Sequence, residues 1–490
     1  MLDKFFNFGA AKNKTAAEKI SVLSEQGYNA LSRGDYEKAL LCWNEVLQLD
    51  PKNTDAYINR GNTYAVTRHW DEAISNFNEA IRLDPNCGLA YANRGNTYSH
   101  KGDWDNAMID WSKAIELNPN DAETYYNRGR GYHEKRNWDK AVSDYSEAIR
   151  LNPKDVRAYT NRGIIYGYKD EWDKAFSDWG EAIRIDPKHF TAYASRGDGY
   201  RFKGEWDNAI SDYDEALQLD PEAGKMYCNR GDCYFKKGDL DSALTDYNRA
   251  IVNDPNLSEA CYQRGKIYQR KGDLDKAIDS YTQAIQLNPN GAEAYYGRGI
   301  TYFENGDWDK AISDYDEAIR LNPKVAEGYY SRGNAYRRKG DWDRAISDYD
   351  EAIHLNPKVA LVYASRAIAH RHKGDVDKTI DDYEQAIRLD SKLSLAHNNL
   401  AWLLATCPDP SIRNGERAVK LSLQACELTA WNKWNYVGTL ATACAEAGNF
   451  PEAIKWQKKS LEMKVPEDEI KPAQQRLLLY GQNRPYHEQT

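Results

Sequence analysis

Residues 88–121 read GLAYANRGNTYSHKGDWDNAMIDWSKAIELNPND, and the same residue types return in the same places every 34 residues from residue 20 to residue 393. Numbered within this unit, position 8 is Gly95, position 20 is Ala107, position 24 is Trp111 and position 32 is Pro119. Prolines at 51, 85, 119, 153, 187, 221, 255, 289, 323 and 357 keep the step of 34, and no other proline lies between residues 20 and 391. Position 8 is Gly in ten units and Ala367 in the eleventh, and position 24 is aromatic in all eleven. Position 20 is Ala in ten units, with Thr379 last, and position 27 is Ala in every unit after Val46.

Positions 4, 8 and 11, and then 20, 24 and 27, have the spacing of one helix face, so each unit predicts two helices. The turn between them is commonly Lys-Gly-Asp-Trp-Asp, as at Lys101 to Asp105. Gly and Ala are expected to let two backbones approach while the rings at 4, 11 and 24 fill the remaining volume. Pro, with Asn or Asp before it, ends the second helix. No unit buries its apolar face alone, so stacked neighbours must build one continuous core.

Composition agrees with many small cores under a polar surface. The 490 residues include 10 Phe, 14 Trp and 35 Tyr, beside 29% charged residues and a net charge of −9. Disordered chains are poor in rings, and no apolar run approaches the 18 or so residues of a membrane helix. Residues Met1 to Lys14 hold no signal-peptide core, so nothing directs export and a soluble, cytoplasmic chain is expected. Eight cysteines with no Cys-x-x-Cys and no paired His spacing argue against a zinc site or a disulfide framework. They read as apolar fillers in a reducing compartment.

These units resemble the tetratricopeptide repeat, whose aromatic, Gly, Tyr, Ala, aromatic and Pro positions are matched by Tyr91, Gly95, Tyr98, Ala107, Trp111 and Pro119. The resemblance implies an all-α fold, an α-solenoid in which antiparallel helix pairs stack into a right-handed superhelix. Residues 1–19 form an N-terminal segment and the start of the first helix, and 20–393 hold eleven regular repeats. Residues 394–465 read as two divergent helix pairs, and 466–490 as a capping helix and tail, an ending similar to that of some bacterial members. Leu477, Leu478 and Leu479 are expected to cover the last core face. Thr15 and Glu18 match a capping box that opens the first helix.

One departure from the family pattern is systematic: position 7, usually Leu, is Arg from Arg60 to Arg366, while position 23 is Asp in eight second helices. An Arg–Asp pair within each repeat is the structural reading; a binding ladder of arginines is its rival.

No stretch remains for a catalytic domain, and Gly129-x-Gly131 falls inside a helix where it cradles no phosphate. His100, His133, His370 and His372 read as solvated helix residues. No enzyme, metal or cofactor is expected. Positions 2, 6, 9 and 13 point away from the 4, 8, 11 side of the first helix, and the resemblance implies that this side lines a concave groove. Position 6 carries Asn59, Asn93, Asn127 and Asn161, then Ser195, then Asn229. An amide offers donor and acceptor together and so reads a peptide backbone without reading its side chains. The spacing resembles the asparagine ladder of the repeats attached to O-linked N-acetylglucosamine transferase, which implies an extended peptide as ligand. The alternative is that these amides hydrate a polar groove or bond neighbouring helices. Positions 12 to 14 of later repeats are basic, including Lys237, Arg338, Lys339, Arg371 and Lys373, which raises a second reading, a regulatory or nucleic-acid-associated protein that attracts acidic partners. The net charge of −9 makes nucleic acid the lesser partner. A carboxylate clamp of the chaperone-adaptor kind is disfavoured by Ile58, Glu123 and Asn127.

Overall fold

The computed structural model describes residues 15–488; the reading of residues 1–14 as free of an export signal lies outside them. The described residues form 27 helices and no strand. In repeat 3, for example, the helices are Gly88–His100 and Trp104–Leu117. Two compact units divide the chain, Met1–Ala243 and Leu244–Thr490, with the boundary inside the helix Leu240–Asn253 of repeat 7. Within each unit the two helices of a repeat pack together, the second helix packs on the first helix of the next repeat, and successive first helices touch.

Local chemistry sets the helix ends. Thr15 accepts from the Glu18 amide and Glu18 accepts from the Thr15 amide, the expected capping box. Position 15 closes the first helix in the left-handed region, at φ +85° in Gly102 and +76° in Gly204, where glycine carries no steric cost. Three repeats place Arg68, Arg136 and Asp170 there instead, at φ +62°, +55° and +57°. Asp103 then caps the second helix by accepting from the Asn106 amide.

The recurrent small residue at position 8 makes room first for a ring, and at Gly95 also for the Ala107 backbone oxygen, 3.2 Å from a built Cβ. A Cβ built on Gly95 would lie 2.9 Å from Trp111, and one on Gly163 only 2.6 Å from the Trp179 indole nitrogen. The aromatic of position 24 therefore lies directly over the glycine of its own repeat and is fully buried, as in Tyr145, Tyr213 and Tyr349. Each such ring contributes about 1.5–3 kcal/mol on burial.

The Arg–Asp pair is present within the repeats. Arg94 donates from Nε and Nη2 to both Asp110 oxygens, each at 2.7 Å, and the same fork recurs from Arg128 to Asp144 and from Arg366 to Asp382. The third nitrogen reaches the preceding repeat, where Arg94 Nη1 donates to Asn78, and Arg162 Nη1 donates to Ser146 at 2.9 Å. One guanidinium thus ties three helices, and the Tyr of position 4 lies 5.3–5.9 Å from it, as in Arg60 over Tyr57 and Arg298 over Tyr295. The carboxylate's hydrogen bonds hold Arg94 above its ordinary pKa.

Beyond the regular repeats the helix pairs continue as Ser394–Thr406 with Gly415–Leu428, and Trp434–Glu446 with Phe450–Leu461. The last helix, Glu467–Gly481, buries Ala473, Arg476 and Tyr480, and Tyr480 donates to Thr442 at 2.9 Å. Leu478 is exposed and Leu477 and Leu479 are half-buried, and of the expected triplet Leu479 packs against the final core beside the fully buried Tyr480. The spacing 473, 476, 480 follows one helix face, and Leu478 falls on the other side.

Candidate functional site

Position 6 is half-buried in repeats 2 to 5, and its amides are partly engaged with the preceding repeat. Asn59 donates to the Tyr28 hydroxyl at 2.9 Å, Asn93 to Asn62 at 3.0 Å, Asn127 to Asn96 at 3.1 Å and Asn161 to the Tyr126 hydroxyl at 3.2 Å. These four residues are half-buried, and their carbonyl oxygens accept no hydrogen bond among the described residues. Each retains an acceptor and one N–H without a partner among the described residues. Asn229 differs: it is only 3% exposed and donates to Asp198 at 2.9 Å. The five residues thus lie in register along one face, four open and one closed over.

Where Ser195 interrupts the ladder, the structure has a cleft that sequence reading missed. Tyr168 and Phe202 occupy position 13 of repeats 5 and 6 and are 66% and 73% exposed. Phe202 stacks on Trp172 with ring centroids 5.1 Å apart, and Tyr168 stacks on Trp138 at 5.4 Å. Between them a cavity of about 530 Å³ is lined by Ile164, Gly167, Trp172, Ser195 and Gly199. Its mouth is polar. Asp198 accepts from the Tyr213 hydroxyl at 2.6 Å and from Asn229, and Arg201 donates to the same hydroxyl at 3.3 Å. Burial, then the Asp198 charge, pushes the Tyr213 pKa up, so this phenol stays protonated as a donor. The available signal was the change of position 13 from Val66, His100 and Glu134 to two successive rings, beside the loss of an amide at position 6.

His100 and His372 are exposed, as expected, whereas His370 is buried and His133 half-buried, which corrects the solvated reading for those two. His372 stacks on Trp342 at 4.1 Å and His100 on Trp70 at 5.5 Å, because position 13 of one repeat lies over position 17 of the preceding one. His133 contacts Trp138 and Tyr168, and His370 is buried. Burial lowers the pKa values of His133, His370 and His372.

Basic side chains at positions 12 to 14 are largely matched by acids. Lys237, Lys339 and Lys373 bond Asp207, Asp309 and Asp343, each at position 18 of the preceding repeat, and Lys101 bonds Asp71 at 2.5 Å. Arg371 pairs with Glu488 at 2.6 Å. None of the eight cysteines is in a disulfide, and seven are buried with Cys87 half-buried. Among the described residues there is no cluster of three or more His, Cys, Asp or Glu able to hold a metal ion, and no helix long and apolar enough to cross a membrane.

Family models of the tetratricopeptide repeat match residues 54–87, 195–258, 262–326 and 326–359, and a TPR repeat model matches 27–66, 95–135 and 129–170. Among solved structures, MamA is 33% identical over 33% of this chain and 95% of its own, with a TM-score of 0.32. YrrB, described as a TPR protein with an unusual peptide-binding site, is 27% identical over 36% of this chain and 92% of its own, with a TM-score of 0.33. Yeast Tom70 is 19% identical over 95% and 96%, with a TM-score of 0.35.

Proposed function

Because the chain belongs to the tetratricopeptide repeat family, we propose that it is a noncatalytic scaffold holding an extended segment of a protein partner along the first-helix face of repeats 2 to 7. The observation that carries this reading is the continuity of Asn59, Asn93, Asn127 and Asn161 with the aromatic cleft at Tyr168, Trp172 and Phe202. Amide oxygens and N–H groups on the groove side meet backbone N–H and C=O of an extended chain, and the cleft takes one apolar side chain. Asn229 acts behind this surface by holding Asp198 at the cleft mouth. Four amides contribute about 0.5–1.5 kcal/mol per bond, and a buried apolar side chain adds about 1.5–3 kcal/mol before ordering costs. The location proposed is the cytoplasm, in keeping with eight cysteines outside any disulfide. The rival reading through basic later repeats loses support from the acids paired with Lys237, Lys339 and Lys373.

The test is partner capture by wild type and by the variant with Asn93, Asn127 and Asn161 changed to Ala, both at matched helicity. Three lost contacts predict at least tenfold weaker capture. A folded triple variant that retains every partner overturns the reading. Because each amide also bonds the preceding repeat, about 0.5–1.5 kcal/mol of stability per site goes with it, and the comparison is made well below the unfolding transition.

A further inference from the structure

After the last helix the chain turns back. Asn483 adopts φ +56°, the Arg484 amide donates to the Leu479 carbonyl at 3.0 Å, and the segment from Pro485 to Glu488 is half-buried. It lies on the side of the first helices that carries positions 9, 12 and 13, the same side that carries the amides in the earlier repeats. Trp402 is position 9 and Thr406 position 13 of pair 12, Glu446 holds the place of position 13 in pair 13, and Arg371 is position 12 of repeat 11. All of these lie within the second compact unit.

The contacts are those of a bound peptide. The Glu488 amide donates to the Thr406 carbonyl at 2.9 Å, so the backbone itself is read. The Glu488 carboxylate accepts from Arg371 Nη2 at 2.6 Å and from Trp402 Nε1 at 2.8 Å. His487 Nε2 lies 2.7 Å from Glu446 Oε2, whose other oxygen accepts from Arg413 Nε at 2.9 Å. The Tyr486 ring lies 6.1 Å from Trp402, and the Arg476 guanidinium sits 5.6 Å from the Trp402 ring and 5.8 Å from the Tyr486 ring. Arg476 is 8% exposed and its Nε has no hydrogen-bond partner. Tyr486 packs against the last core as Tyr480 does, but the tail adds contacts that a cap does not need, a carboxylate on Arg371 and Trp402 and a main-chain amide on Thr406.

We propose that the first-helix face of repeat 11 and pairs 12 and 13 is a second recognition site, for an extended partner segment bearing an aromatic ring and, two residues on, a carboxylate. The chain's own Tyr486-His487-Glu488 is the resident competitor. Charge selects the occupant: Arg371 and Arg476 face the carboxylate and the ring, while Glu446 favours a donor between them. The site stands independently of the asparagine ladder, which lies in the other unit. A partner segment of this chemistry gains access only by displacing the tail, so the site is weakened toward outside ligands by a local concentration that a free peptide must exceed.

The experiment uses the full chain and a fluorescent peptide copying residues 482–490. Anisotropy titrations compare wild type with the Tyr486→Ala, Glu488→Ala double variant, in which the tail has lost its ring and carboxylate contacts, keeps those of His487 and the backbone, and leaves the groove intact. The double variant is expected to bind the peptide at least tenfold more tightly than wild type. Adding Arg371→Gln should lower that affinity at least tenfold by removing a charge-assisted bond, and Glu488→Gln alone should give at least a threefold gain over wild type. Far-UV circular dichroism checks that each variant is folded. Equal binding by wild type and double variant, or binding by neither, overturns the proposal and leaves the tail a structural cap. Loss of ladder-dependent partners in the Asn triple variant has no bearing on this outcome.

Discussion

Replacing Arg162 by Ala tests the device that most distinguishes these repeats. Arg162 Nε and Nη2 donate to the two Asp178 oxygens at 2.8 and 2.7 Å, Nη1 donates to Ser146 at 2.9 Å, and the guanidinium lies 5.7 Å from the Tyr159 ring. Asp178 is only 6% exposed, so the variant leaves a carboxylate with little water and no cation. Breaking a buried pair from one side costs about 3–5 kcal/mol, whereas an exposed pair contributes about 0–1 kcal/mol. Lys169 with Asp139, where the Asp side chain is 86% exposed, is the internal control, and Lys169→Ala should cost less than about 1 kcal/mol. Changing both partners, Arg162→Met with Asp178→Leu, removes the stranded charge and should recover most of the loss. Urea unfolding gives the magnitudes, and hydrogen exchange should localise the damage to repeats 4 to 6, since stacked repeats couple to neighbours. A cost below about 1 kcal/mol for Arg162→Ala, or a double variant as unstable as the single, would show that Asp178 is not stranded by loss of the arginine.

Gly197→Ala places a methyl where Tyr213 already stands 2.9 Å from the built Cβ, so the ring must shift and stability should fall by about 1–3 kcal/mol in thermal or urea unfolding. Arg136→Gly should act in the opposite direction: relief of a left-handed backbone at φ +55° exceeds the entropy of a new glycine, for a net gain of about 0.5–1 kcal/mol. At pH 8 a thiol reagent on the native chain should label Cys87 alone. Burial pushes Cys426 up to about 12 and Cys444 up to about 11, which keeps both thiols protonated and unreactive until the pH nears those values. Rapid labelling of either, read by mass spectrometry, would show that these helix pairs open.

The period of 34 was legible because every unit must solve the same packing problem, so Gly95, Trp111 and Pro119 recur wherever the geometry recurs. Arg94 and Asp110 were legible for the same reason, since a charge at a half-buried position demands a partner at a fixed offset. The third donor of that arginine was not, because Asn78, Ser112 and Asp214 at position 25 share hydrogen-bonding ability but no single residue type. Position 6 shows where residue type alone falls short: an amide has enough bonds to hold a neighbour and still face a groove, so Asn93 serves Asn62 without losing its free oxygen. The cleft at Tyr168 and Phe202 departs from the repeat pattern and appears only when position 13 is read against position 17 of the preceding unit. The tail at Glu488 is a contact across 117 residues from Arg371, and no periodicity announces it.

The central claim is that partners are held on the first-helix face, and a photo-crosslinking residue placed in turn at Leu89, Tyr168 and Ile109 tests it most directly. Leu89 and Tyr168 occupy positions 2 and 13 of first helices, while Ile109 lies on the second helix of repeat 3, and the three are 59%, 66% and 66% exposed. Equal exposure removes accessibility as an explanation. One partner should crosslink from both Leu89 and Tyr168 and be absent from Ile109; crosslinking of that partner from Ile109 alone, or equally from all three, would place it elsewhere than on the first-helix face.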